Sequence, residues 1–249
     1  MTLSLITPTY NSSKTIARTL DSVVAQNYPD LEYIIIDGAS KDDTLRIIEG
    51  YQSKINIKVV SESDKGLYDA MNKGVKLASG EVVGILNSDD VFFDETVLNT
   101  VAKAFASDAP DIVYGDIKYF SDDINKTKRY WRSGAYRESK LNNGWIIPHP
   151  ALFVKKTVYD RAGLYRDDFK IAGDYEFILR ILKKYQLTLK YLPQVLVKMY
   201  DGGVSGRNLG QRNKGWSELK RAWTVNDLPL PKFFIFRRVF FKLSQLIWK

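Results

Sequence analysis

The stretch Glu81-Val82-Val83-Gly84-Ile85-Leu86-Asn87-Ser88-Asp89-Asp90 decides how the rest of the chain is read. Its apolar, β-branched start is what a buried parallel strand requires, and it ends abruptly in polar and acidic residues. Three earlier segments have the same character: 3–8 (LSLITP), 31–37 (LEYIIID) and 55–60 (INIKVV). Helical patterns fill the gaps between them. Ile16, Leu20, Val23 and Val24 recur at helical spacing after the polar Asn11-Ser12-Ser13, and Ser40 with Asp43 predicts a capping box ahead of Ile47 and Ile48. Strand and helix thus alternate to about residue 90, which predicts a doubly wound, right-handed, mostly parallel α/β sheet. Ligands in such sheets sit at the carboxyl ends of the strands. Those ends read Thr7-Pro8-Thr9-Tyr10-Asn11, Ile36-Asp37-Gly38, Ser61-Glu62-Ser63-Asp64 and Asn87-Ser88-Asp89-Asp90.

Beyond residue 110 the pattern loosens into short strands at 112–114, 128–131 and 151–154, with a turn-rich stretch over 141–150. A helix is predicted over 175–185, a strand over 188–199 and a polar helix over 208–225. With 45% hydrophobic residues, 249 residues suffice for one large domain with appendages. The chain has no cysteine, so it offers neither a disulfide scaffold nor a thiolate ligand or nucleophile. A cytoplasmic location follows as an expectation. The opening MTLSLITPTYN has no basic segment before a long apolar run, and no stretch approaches the roughly 18–20 apolar residues of a membrane span.

The net charge of +8 is concentrated at one end, because residues 201–249 hold ten Lys/Arg against three Asp/Glu. In that segment 231–243 (PKFFIFRRVFFKL) interleaves aromatics with Arg237, Arg238 and Lys242, which forbid spanning but suit an interfacial helix on an anionic membrane. A helix packed back on the domain, or a partner surface, has the same composition. A nucleic-acid role is disfavoured, since the cations sit in one terminal helix without a recognition module.

Asn87-Ser88-Asp89-Asp90 is the strongest chemical signal. A hard divalent cation takes one or two carboxylates plus substrate phosphates, so Mg²⁺ or Mn²⁺ held there would neutralise charge on a departing diphosphate. A solvated turn capping a helix near Asp94 is the plain alternative. His149, fixed between Pro148 and Pro150, is a candidate acceptor-side or metal-side contact. Asp116 and Trp145 are weaker acceptor-pocket candidates, and Arg207 in the Gly-rich stretch 201–207 could serve a phosphate lid or merely a connector.

Taken in order, Thr7-Pro8-Thr9-Tyr10-Asn11, Ile36-Asp37-Gly38-Ala39-Ser40, the segment 64–74 (DKGLYDAMNKG), Asp89-Asp90 and Ile171-Ala172-Gly173-Asp174 resemble the family 2 glycosyltransferases over roughly residues 1–205. The resemblance implies a GT-A (nucleotide-diphospho-sugar transferase) fold with a nucleotide-sugar-binding half (1–110) and an acceptor-binding half (111–205). Residues 206–249 lie beyond it and read by composition as a basic aromatic extension of C-terminal amphipathic helices. By the same resemblance Thr9, Tyr10 and Asp37 would hold the nucleotide base, and Asp64, Lys65, Asp69 and Asn72 would pass the ribose and diphosphate. Asp89 and Asp90 would hold the donor and metal, Asp90 first because Ser88 replaces an earlier acid. Gly38 stands where many members have a second acid, which weakens the case for uracil. Asp174 matches the general base, with Gly173 where members usually show Glu.

The implied activity is an inverting, metal-dependent (Mn²⁺ or Mg²⁺) transfer of a hexose or N-acetylhexosamine from a nucleotide-diphosphate sugar, with UDP expected. The acceptor would be a lipid-linked saccharide of capsule, O-antigen or exopolysaccharide assembly, reached at the inner face of the cell membrane. Two rivals differ in class. A nucleotidyltransferase would need a Gly-rich basic loop after strand one, and Thr7-Pro8-Thr9-Tyr10-Asn11 has neither glycine nor cation. A non-catalytic saccharide-binding protein would not need Asp89, Asp90 and Asp174 together.

Overall fold

The computed structural model describes residues 1–121, 123–202 and 209–247. Among these residues nine strands form one sheet: β1 (Leu3–Thr9), β2 (Leu31–Asp37), β3 (Ile57–Ser61), β4 (Val82–Ile85), β5 (Val91–Phe92), β6 (Ile112–Phe120), β7 (Arg129–Trp131), β8 (Leu152–Lys155) and β9 (Leu189–Tyr200). Their order is β3-β2-β1-β4-β8-β6-β9-β5, with β7 paired to β6. The four strands β3, β2, β1 and β4 are mutually parallel, while β8 runs antiparallel to both β4 and β6. The helices are α1 (Ile16–Val24), α2 (Thr44–Glu49), α3 (Leu67–Leu77), α4 (Val97–Asp108), α5 (Glu138–Asn142), α6 (Lys156–Ala162), α7 (Gly173–Lys184), α8 (Leu209–Thr224) and α9 (Phe234–Ile247).

Because side chains alternate along a strand, β1 and β2 feed both faces of the sheet. Ile6, Ile34 and Ile36 join Met71 and Val75 of α3 and the apolar side of α7 in one core. Leu5, Tyr33 and Ile35 join Ile16 and Leu20 of α1 and Leu98 of α4 in the other. Successive strands run from β1 outward to β2 and β3, whereas β4 returns to the opposite side of β1. At that reversal of strand order the loops after β1 and β4 lie side by side, and a crevice opens at the carboxyl ends of the strands.

Several local expectations change. No capping box starts α2, because Ser40 turns back to hydrogen-bond Asp37 and the N-cap, Asp43, makes no side-chain capping bond, accepting from Arg46 Nε instead. The acidic stretch does not cap a helix near Asp94, since β5 intervenes and α4 begins only at Val97. Asp94 instead accepts from the backbone and hydroxyl of Thr96.

The terminal helix packs back on the domain along one side. Phe234 is buried against Trp223, with ring centroids 5.6 Å apart, a burial worth roughly 1.5–3 kcal/mol. Arg238 Nη1 donates to the Gly144 carbonyl at 2.8 Å. That approach requires glycine, which has φ +82° and whose Cβ would lie 2.5 Å from Arg238 Cα. The opposite side of α9 leaves Phe236 and Phe240 73% and 69% exposed. Among the described residues no helix is long and apolar enough to cross a membrane.

Candidate functional site

The crevice between the β1 and β4 loops opens into a cleft of about 810 Å³. Thr9, Tyr10, Asp64, Asp89, His149 and Asp174 all line it, although they come from five separated stretches. Ser12 Oγ and Ser88 Oγ, 2.8 Å apart, tie the β1 loop to the β4 loop. Tyr10 is 61% exposed on one wall, and the Thr9 hydroxyl is buried with no partner among the described residues.

The two acids of the β4 loop have different environments. Asp89 lines the cleft, whereas Asp90 is buried and does not. Asp90 Oδ1 accepts from the Tyr200 amide at 2.9 Å and Oδ2 from the Asn87 side-chain amide at 3.1 Å. Burial, and secondarily the charge of Asp89, pushes the Asp90 carboxyl well above the usual carboxylate range. Arg18 holds this loop from behind. Its Nη2 donates to the Asp89 carbonyl at 3.0 Å while its guanidinium lies over the rings of Phe120 and Tyr200 at 5.0 and 4.8 Å. Asp90, expected from sequence as the first metal contact, thus lies behind Asp89 and does not face the cleft. The side-chain oxygen of Asn87, which also lines the cleft, is buried without a partner among the described residues. A carboxylate beside an unsatisfied amide oxygen is a donor set that fits a hard cation.

On the facing wall Asp64 sits where a side chain at position 38 would be. A Cβ on Gly38 would come within 2.6 Å of Asp64 Oδ2 and 3.3 Å of Tyr10, so the missing second acid makes room for Asp64. Four candidates lie off the cleft. Asp37 is buried, accepting from Ser40 and from the Ser61 hydroxyl. Lys65 and Asp69 do not line the cleft, and Asp69 accepts the Lys65 amide at 3.0 Å at the start of α3. Asn72 pairs reciprocally with the backbone of Tyr165 at 2.8 and 2.9 Å, bracing α3 against the loop before α7.

Asp174 lies in the first turn of α7, whose N-cap is Ala172, so it does not cap the helix. Tyr68 Oη donates to Asp174 Oδ1 at 3.2 Å. Gly173 makes this possible, since a Cβ there would lie 2.7 Å from the Tyr68 ring, in space a Glu side chain would claim. The Tyr68 ring stacks on Tyr165, whose hydroxyl meets His149 Nε2 at 3.0 Å and the Tyr159 hydroxyl at 3.1 Å. Burial holds His149 below its usual range, opposed by the charge of Asp174.

His149 and Asp174 also line a second cavity of about 590 Å³, closed on its far side by α8 and α9. Asp116 and Trp145 reach neither cavity. Asp116 is buried, accepting from Tyr130, Tyr191 and the Ser133 amide, each at 2.8 Å. Trp145 is buried too, its indole N–H donating to the Ser133 carbonyl at 2.7 Å. Arg207 lies outside the described residues.

Residues 4–164 match the family model described as Glycosyl transferase family 2. The chain belongs to glycosyltransferase family 2. This glycosyltransferase is 30% identical over 207 residues to the PGL/p-HBAD biosynthesis glycosyltransferase of Mycobacterium bovis, covering 81% of this chain and 78% of that protein. Among solved structures it resembles S. aureus TarS 1–349 in complex with UDP-GlcNAc, with TM-score 0.68, 20% identity and coverage of 99% and 79% of the two chains. It spans 41% of the longer TarS chain. A mannosyltransferase from Pyrobaculum calidifontis, in complex with GDP-Man and Mn²⁺, matches with TM-score 0.67 and 19% identity over 94% of this chain and 67% of that one. The fold is accordingly GT-A.

Sequence reasoning missed Tyr68, Lys170 and Arg238. Tyr68 sits inside the quoted segment 64–74, and a tyrosine among small and polar residues was the available signal. Lys170 lines the cleft, as Lys14 does and Lys65 does not, and it donates to the Lys65 carbonyl at 3.0 Å. Arg238 was indistinguishable from its neighbour Arg237 until α9 packed.

Proposed function

We propose that this glycosyltransferase inverts the anomeric centre as it moves a hexose or N-acetylhexosamine from a UDP-sugar to a saccharide acceptor. Residues 1–110 serve as the donor half, residues 111–205 as the acceptor half and residues 206–249 as an extension that completes the acceptor side. The observation that carries this reading is Asp174, standing where the two cavities meet with Asp89 across the first.

In this mechanism Tyr10, Thr9 and Asp64 hold the nucleoside, and Lys170 faces the diphosphate. Asp89 and Asn87 would hold Mn²⁺ or Mg²⁺, which when bound supplies positive charge against the leaving diphosphate. Asp90 stays inside as the brace of that loop. Asp174 takes the proton of the acceptor hydroxyl as its oxygen attacks the anomeric carbon, and the bond from that carbon to the β-phosphate oxygen breaks on the opposite face. Tyr68, by donating to Asp174, keeps the carboxylate aimed at the cavity junction, and His149 lies beside it with its ring neutral.

The acceptor is a lipid-linked saccharide for capsule, O-antigen or exopolysaccharide assembly. The exposed aromatic side of α9, flanked by Lys232 and Arg237, supports docking at the inner face of an anionic cell membrane. The test is a panel of nucleotide sugars with Mn²⁺, read as nucleotide diphosphate release. Release from a UDP-sugar above the protein-free rate is expected, and release from no donor would overturn the reading.

A further inference from the structure

The second cavity carries charge that the transfer chemistry does not use. Arg238 points into it from α9, with its Nε buried and without a partner among the described residues. Its guanidinium lies 4.9 Å from the Tyr175 ring, and burial works to lower its proton affinity. Arg129 lines the same cavity, flat over the Tyr119 ring at 3.7 Å, and Lys242 stands at the rim. The lining carboxylates are Asp174, committed to the junction, and Asp201, paired with Lys128. Among the described residues no carboxylate forms an ion pair with Arg129 or Arg238.

Half-buried guanidinium groups without an anion are costly, and a phosphate offers them charge-assisted, bidentate hydrogen bonds. Trp131 and Trp216 line the cavity as well, giving apolar faces for a sugar ring. Val239 and Leu243 continue the lining toward the exposed aromatic side of α9.

We propose that this second cavity is an anion subsite for the acceptor: it takes a saccharide joined to a lipid through a phosphate ester, with the phosphate among Arg129, Arg238 and Lys242. The sugar then lies between that phosphate and Asp174, and the alkyl chain leaves along Val239 and Leu243. The inference rests on the glycosyl-transfer reading and deepens it, by assigning a charge and a direction to the acceptor.

The test is calorimetric titration of the full chain, with and without UDP, at fixed ionic strength. The probes are octyl phosphate, octyl glucoside and inorganic phosphate, the octyl compounds below their micelle concentrations. Octyl phosphate is expected to bind at least tenfold more tightly than octyl glucoside, and at least tenfold more tightly than inorganic phosphate. The double variant R129Q/K242Q, which spares the Arg238 contact that docks α9, is expected to lose at least tenfold for octyl phosphate with UDP affinity and melting temperature unchanged. Equal binding of octyl phosphate and octyl glucoside, or an unchanged double variant, would overturn the anion subsite. Equal binding of the two phosphates would overturn the lipid-linked source in favour of a free sugar phosphate. Should phosphate bind as expected while no nucleotide sugar is turned over, it is the transfer reading that fails and not the subsite.

Discussion

Tyr68 and Asp174, 106 positions apart in sequence, meet in a 3.2 Å hydrogen bond that joins the start of α3 to the start of α7. The Tyr68 ring is buried and stacked on Tyr165, so its hydroxyl is fixed in direction. It is a positioning residue for the carboxylate.

Tyr68→Phe keeps the ring and removes the bond. A hydrogen bond to a charged group is worth about 1.5–3 kcal/mol, so kcat is expected to fall roughly 10- to 100-fold. The affinity for UDP should stay within twofold of wild type. Steady-state kinetics alongside UDP titration separates the two. A rise in KM with kcat unchanged would mean that Tyr68 shapes binding instead.

Gly173→Ala attacks the same contact from the other side. The new Cβ would lie 2.7 Å from the Tyr68 ring and must push it away. Turnover should drop at least as far as in Tyr68→Phe. Because both changes break one interaction, Tyr68→Phe/Gly173→Ala should be less impaired than the product of the single effects. A double-variant cycle with simple additivity would contradict the link.

Asp90 gives a pH prediction. Its folded-state pKa is raised by burial, so the favourable term belongs to the protonated form. That term is fully present below the unfolded pKa and is lost as pH rises through the raised folded value. Without metal, Asp90→Asn should therefore melt higher than wild type at neutral pH and lose that advantage toward pH 4. The Asn87 amide can flip to present its unpartnered oxygen to the new NH₂ group. Each kcal/mol gained corresponds to about 2–4 °C for a chain of this size, readable by thermal shift across pH. A variant that melts lower than wild type at neutral pH would show that the carboxylate is paired more favourably than its surroundings indicate.

Asp116→Asn should separate structure from chemistry. The carboxylate accepts three hydrogen bonds inside the fold, so its loss should cost roughly 1–3 kcal/mol of stability in denaturant melts. Turnover per folded molecule should be unchanged below the melting range. A selective loss of kcat would return Asp116 to the acceptor site.

The parallel half of the sheet could be read from β-branched runs ending in polar residues, and β1, β2 and α1 emerge at nearly the expected bounds. Thr9, Tyr10, Asp64, Asp89, His149 and Asp174 also converge on one cleft: the first four stand at or just after the carboxyl ends of β1, β3 and β4, whereas His149 comes from the turn before β8 and Asp174 from the start of α7. What the sequence did not show was depth. Asp89 and Asp90 are neighbours with identical chemistry, and only the reversal of side-chain direction along the loop sends one to the cleft and the other into the core. Asp37 and Asn72 were carried over from the family resemblance, Asp116 and Trp145 were singled out by strand-end position and ring type, and none of these signals reports burial. Arg238 differs from Arg237 only by its angle around α9, which becomes visible when Gly144 admits the helix backbone.

The most direct measurement compares wild type, Asp89→Asn and Asp174→Asn for Mn²⁺-dependent UDP release from a UDP-sugar substrate, with UDP affinity measured on the same folded preparations. The expected result is that Asp174→Asn binds UDP as wild type does yet releases it about 10²- to 10⁴-fold more slowly, the usual contribution of a general base. Asp89→Asn should lose both the Mn²⁺ dependence and the turnover. Full turnover in folded Asp174→Asn would contradict the assignment of the base, and undiminished Mn²⁺ dependence in Asp89→Asn would contradict that of the metal contact.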